Sequence, residues 1–191
     1  MPTEIHPFEP FLPDGARVLF LGSFPPQPHR WCMPFYYPNW NNDFWRIAGL
    51  IFFADRDHFC IPAQKRFDEK AVREFCAREG LAFYDTASEV RRLKDNASDA
   101  FLEVVTPTDI EALLGRIPLC RTVVTTGQKA SEVIAGTYTC DIPPVGEYID
   151  LPAFRFWRMP SSSRAYPLPL EKKAEAYRRL FCQRQECGRR P

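Results

Sequence analysis

The chain reads as an α/β domain in which helices flank a short, mostly parallel sheet, and three observations lead there. Four apolar or β-branched runs, at residues 17–21, 80–85, 122–126 and 153–158, have the length of buried strands. Stretches with helical spacing separate them, the alternation expected of parallel strands joined by crossover helices. Finally, 191 residues with 45% apolar content are enough for one domain with a proper core.

The first run, RVLFL at 17–21, is apolar after its arginine and stops at Gly22. Pro25 and Pro26 follow, so the chain cannot pass straight from strand into helix and must loop. That loop carries Trp31, Phe35, Tyr36, Tyr37 and Trp40 among Asn39, Asn41, Asn42 and Asp43. Asn42 or Asp43 can cap a helix running to residue 53. A second helix is expected over 68–78, where Ala71, Val72, Phe75 and Cys76 share one face and Gly80 ends it.

After the strand at 80–85 comes a polar stretch with Arg91, Arg92, Lys94, Asp95, Asn96 and Ser98, which suits a solvated face or a DNA-backbone contact. Residues 106–109 cap a helix to residue 114. The strand at 122–126 closes at Gly127 before a helix over 129–135. Gly127 serves tight packing there or, with Lys129, a phosphate contact at a helix N-terminus. The last strand, 153–158, delivers a serine-rich turn and a helix over 170–180. Residues 1–14 form a proline-rich surface arm in which His6 carries no assigned role, and 182–191 a polar tail.

Composition excludes several classes. A net charge of +1 gives no global signature of a nucleic-acid binder, so any DNA contact must come from a local basic face. No run is long enough to span a membrane, and residues 1–10 show no signal peptide. Seven cysteines without a C-x-x-C pair point to reduced thiols in the cytoplasm. G-x-G-x-x-G, P-loop and G-x-S-x-G signatures are absent, which argues against other hydrolase and nucleotide-binding classes.

An aromatic loop at the carboxyl end of a strand lies where open α/β sheets place ligands. Singly, its rings suit a core and its amides suit turns. Together they suit a slot for a flat heterocycle with hydrogen-bonding edges, such as a nucleobase.

RVLFLGSFPP at 17–26, followed by YYPNWNNDFW at 36–45, resembles the first motif of the uracil-DNA glycosylase superfamily. The nearest branches are the mismatch-specific uracil/thymine and hypoxanthine-DNA glycosylases. GLAFYD at 80–85 is similar to a strand of the hypoxanthine branch. MPSSS at 159–163 and LEKKAEAYRRL at 170–180 resemble the second motif.

The resemblance implies a three-layer α/β/α sandwich with a short, mostly parallel four-stranded central sheet, forming one domain over 1–191. It implies a monomeric, cytoplasmic, monofunctional DNA glycosylase of base-excision repair. Such an enzyme flips uracil or hypoxanthine from damaged or mismatched DNA and hydrolyses the N-glycosidic bond. No cofactor or metal is expected, since no iron–sulfur ligand spacing is visible. No lysine is clearly placed for a Schiff base, so hydrolysis without strand cleavage is expected.

By the same resemblance Asn42 holds the attacking water, although helix capping is its other role. Gly22, Ser23, Phe24, Pro25, Tyr37 and Met159 form the base pocket, with Tyr37 stacking on the flipped base and the 22–25 backbone donating to its carbonyl. Lys129, Ser161, Ser162, Ser163, Arg164 and Tyr166 touch DNA, and Arg164 or Tyr166 serves as the wedge. The serines suit a simple polar turn equally well. The chain departs from the family at Pro26 (usually glycine), Phe24 (often Asn or Asp) and Met159 (often His). These departures favour the alternative, a non-catalytic nucleic-acid or nucleobase binder on the same fold.

Overall fold

The computed structural model of the chain describes residues 2–93 and 101–187, the last five by backbone alone. Strand β1 (Glu4–Ile5) lies in the arm, and β2 (Val18–Gly22) is the fully buried VLFLG run. The aromatic loop leads into α1 (Phe44–Phe53), which stops at Ala54 in the left-handed region. A small ribbon, β3 (Cys60–Ile61) with β4 (Arg66–Phe67), precedes α2 (Glu69–Glu79). Asp68 caps α2 by accepting from Ala71 N–H at 3.1 Å, and Gly80 ends it at φ 64°.

Next come β5 (Leu81–Asp85), β6 (Ala87–Arg92) and β7 (Leu102–Pro107). Asp109 caps α3 (Ile110–Arg116) through Ala112 N–H at 2.9 Å. Then follow β8 (Thr122–Thr126), α4 (Gln128–Tyr138), β9 (Glu147–Asp150), β10 (Arg155–Met159) and α5 (Leu170–Cys187).

The central sheet has the order β5-β2-β8-β10-β9, with the first four strands parallel and β9 antiparallel at the edge. Alternation along each strand divides the core between two faces. Val18, Phe20, Leu81, Phe83, Val124 and Trp157 pack with α1, α2 and α5. Leu19, Leu21, Ala82, Val123 and Phe156 pack with α3 and α4. The molecule is therefore the three-layer sandwich that the sequence predicts, with a fifth strand. EYID at 147–150 is short, half-polar and flanked by turns, so period alone does not mark it.

Two further departures matter for the site. Arg91 and Arg92 do not belong to a loose charged face. They lie on β6, whose Ala87 and Val90 are buried, in a second sheet of order β1-β6-β7. There they pair with Glu103 and Glu4, each at 3.0 Å. Lys94, Asp95, Asn96 and Ser98 lie outside the described residues. The arm, for its part, is stitched into both sheets. Its His6 N–H donates to Ser88 O at 2.9 Å, and Phe11 exchanges two backbone bonds with Phe83 on the free edge of β5.

Candidate active site

The parallel strands end at a cavity of about 790 Å³, enclosed by the loop after β2, the arm, and the loop after β10. Register determines its floor. Gly22 pairs with Asp85 across β2 and β5. A Cβ at residue 22 would lie 2.5 Å from Asp85 Oδ1 and 3.9 Å from the Tyr37 hydroxyl, so only glycine leaves room for both. Asp85 is 6% exposed and is the one carboxylate among the residues that line the cavity.

Tyr37 adopts a left-handed φ of 51°, uncommon for an aromatic residue. That turn lays its ring flat on Phe44, centroids 4.0 Å apart and planes 2° apart. Its hydroxyl bonds Thr126 Oγ1 at 2.9 Å. Burial pushes the phenol well above its ordinary range, despite that hydrogen bond, so it stays neutral. With one face covered by Phe44, the other is what Tyr37 offers to the cavity.

The loop after Gly22 is held by its carbonyls. Pro25 O accepts from Arg92 and Pro26 O from Trp31 Nε1, both at 2.6 Å. Among the described residues the N–H groups of Ser23 and Phe24 have no partner, and both residues line the cavity. Phe24 packs on the β6–β7 sheet and edge-on against His6 at 5.2 Å.

The rim is a junction between the two sequence motifs. Asp43 N–H donates to Ser162 O at 2.8 Å, and Asn42 bridges to Ser163. Beneath them Lys173, its side chain 1% exposed, donates to Asp43 Oδ2 at 3.1 Å and to Ser163 O at 2.7 Å. Arg164 donates to Asp43 Oδ1 at 3.0 Å and to Asn41 Oδ1 at 3.3 Å. Arg46, buried over Trp40, holds the carbonyls of Trp40 and Asn42 at 2.9 and 3.1 Å.

Of the residues singled out from sequence, Gly22, Ser23, Phe24, Pro25, Tyr37, Asn42, the three serines, Arg164 and Tyr166 all line this cavity. Asn42, one residue before the N-cap Asp43, accepts through Oδ1 from Phe44 N–H, the first amide of α1, at 2.9 Å, and its amide nitrogen bonds no described group. Ser161 and Ser163 hydroxyls accept from backbone N–H groups two residues on, both at 3.2 Å, as a polar turn does.

One expectation is corrected. Met159 does not line the pocket: strand alternation turns it into the fully buried core under α1 and α5. Its register partner Thr126 occupies the floor instead. Lys129 lies on the first turn of α4, outside the lining.

Sequence reasoning passed over Asp85, Thr126, Lys173 and above all His6. The signal for Asp85 was its place at a strand end level with Gly22. His6 offered none, because its partner is 79 residues away. Among the described residues no three of His, Cys, Asp and Glu converge as a metal site.

No protein-family model matches the sequence, and no curated protein matches it. Among solved structures the fold is similar to the solution NMR structure of a candidate uracil DNA glycosylase from Methanosarcina acetivorans. The TM-score is 0.60 at 22% identity, over 91% of this chain and 96% of that one. The α/β/α sandwich is thus shared architecture.

Proposed function

We propose that the chain is a monofunctional DNA glycosylase of the uracil-DNA glycosylase superfamily, which removes deaminated bases such as uracil or hypoxanthine. The observation that carries this reading is the floor: a buried carboxylate beside a fixed aromatic ring, at the bottom of a cavity of about 790 Å³ that leaves room for a flipped nucleotide. Deamination turns a ring nitrogen from acceptor to N–H donor, giving N3–H in uracil and N1–H in hypoxanthine. Asp85 Oδ1, which accepts from no described group, is a suitable partner for that new N–H, while cytosine and adenine present a lone pair there. The similarity to a candidate uracil DNA glycosylase supports the same reading.

The remaining groups fall into roles. A flipped base slides over Tyr37, recovering part of the few kcal/mol lost from the DNA stack. The Ser23 and Phe24 N–H groups are preorganised donors for the base carbonyl, where negative charge gathers as the glycosidic bond breaks. Asn42, at the rim, has its amide nitrogen and one lone pair of Oδ1 left to hold a water against the sugar carbon. The serine turn and Arg164 flank the position of the DNA backbone. With no histidine at position 159 to stabilise the departing base, a slower turnover, or dependence on mispairing to open the site, is expected.

The test is incubation with labelled duplexes carrying uracil, hypoxanthine, xanthine or mispaired thymine, then alkali to cleave abasic sites. Cleavage at uracil or hypoxanthine is expected. If enzyme excess leaves every duplex intact, the catalytic reading falls and a base-binding module replaces it.

A further inference from the structure

His6 is the most thoroughly held side chain near the cavity that the mechanism above does not use. Nε2 lies 2.9 Å from Asp85 Oδ2. Nδ1 lies 2.9 Å from Phe8 O and 3.1 Å from Phe8 N, so the arm's own backbone grips the far side of the ring. Tyr84 and Phe24 pack on it at 4.4 and 5.2 Å, leaving the side chain 2% exposed. The arm is anchored on each side of it, by Ser88 before and by the Tyr36 hydroxyl on Glu9 O at 3.0 Å after.

We propose that His6 is the positioning residue of the base slot: it fixes Asp85 with Oδ1 toward the bound base, and so makes the N-terminal arm part of the site. The inference rests on the base-slot reading above. A lone buried carboxylate would be free to rotate about its last torsion. A ring N–H on Oδ2 removes that freedom and leaves Oδ1 turned toward the cavity as an acceptor. The same bond draws negative charge toward Oδ2, away from a base that becomes anionic as it departs. A histidine that merely filled space among four aromatic rings would need neither nitrogen bonded.

The test is a double-mutant cycle with a spectroscopic control. H6F keeps a ring but no donor; H6Q keeps a donor near the position of Nε2. D85N is expected to lower excision on the order of a hundredfold. H6F should lower it about tenfold in the wild-type background, and scarcely at all once Asp85 is replaced, because groups acting through one another are non-additive. H6Q should recover most of the H6F loss. If the H6F and D85N losses multiply, or if folded H6Q is as poor as H6F, His6 only stabilises the arm and the proposal is overturned. If H6F does not fold, H6Q alone decides, set against the wild type. Independently of activity, nitrogen-edited NMR of the wild type should show a protected ring Nε2–H that vanishes in D85N; its absence overturns the proposal. A wild type that excises nothing but shows this proton and binds a uracil duplex through it sinks the glycosylase reading alone.

Discussion

The floor of the cavity is set by strand register, whereas its rim is set by charge. Gly22, Asp85 and Thr126 end adjacent strands, so the sheet's hydrogen bonds place them, and Tyr37 joins them by one hydroxyl bond and one stacked ring. At the rim the two loops meet through one buried anion, Asp43, shared between Lys173 and Arg164. A floor built this way survives the loss of a side chain, because the backbone keeps its place. A rim built this way does not, because a buried charge left without its partner costs more than the pair contributed. Floor variants should therefore lose chemistry first, and rim variants stability first.

The largest expected effect is at the rim. Lys173→Met removes the buried cation and leaves Asp43 with only the half-exposed Arg164. A loss of about 3–5 kcal/mol follows, or roughly 10 °C in melting temperature for a chain of this size. A calorimetric midpoint within two or three degrees of wild type would show that Arg164 suffices, and the contrast would break.

Gly22→Ala probes the floor. The added methyl would stand 2.5 Å from Asp85 Oδ1, and Asp85 cannot retreat while His6 holds it. Overpacking should cost about 1–3 kcal/mol of stability. Misplacing the carboxylate by about an ångström should cost on the order of a hundredfold in single-turnover excision. An active Gly22→Ala protein would mean that Asp85 does not read the base.

Asn42 sits between the two regimes, since one oxygen both caps the first amide of α1 and faces the cavity. Asn42→Ala should lose about 1 kcal/mol through the cap and about a hundredfold in rate if the amide holds the water. Retained rate with that small stability loss would reduce Asn42 to its capping role.

The same division explains what could be read from residues alone. Apolar runs and caps announced the four parallel strands and the helices around them, because burial on both faces leaves a period and a composition. Motif resemblance reached Tyr37, Asn42 and the serine turn. It failed at Met159, which the strand's period of two turns into the core beneath α1 and α5, while Thr126, its register partner on the same face, is the residue that reaches the cavity. It failed more widely at β6 and β7, whose charged faces hide short apolar periods. His6 was beyond reach for another reason: it is ordinary alone, and only the arm's path along β6 and β5 brings it to Asp85.

The smallest expected effect concerns how the rim meets DNA. Arg92 and Arg164, two of the three arginines that line the cavity, are already paired with Glu4 and Asp43. Of the arginines lining the cavity, Arg30 alone has no described carboxylate partner. Paired cations have little charge to offer phosphates, and a net charge of +1 adds no field of its own. Each neutralised phosphate contributes about −0.9 to the slope of log affinity against log salt, so two to four contacts give roughly −2 to −4. Arg164 can act as a wedge only by leaving Asp43, which stays neutralised by Lys173 when it does. Arg164→Ala should then leave encounter and the salt slope nearly unchanged while reducing base flipping, read from a fluorescent analogue opposite the lesion. If the variant flips normally and its slope falls by about one, Arg164 is a phosphate contact and the wedge belongs to Tyr166.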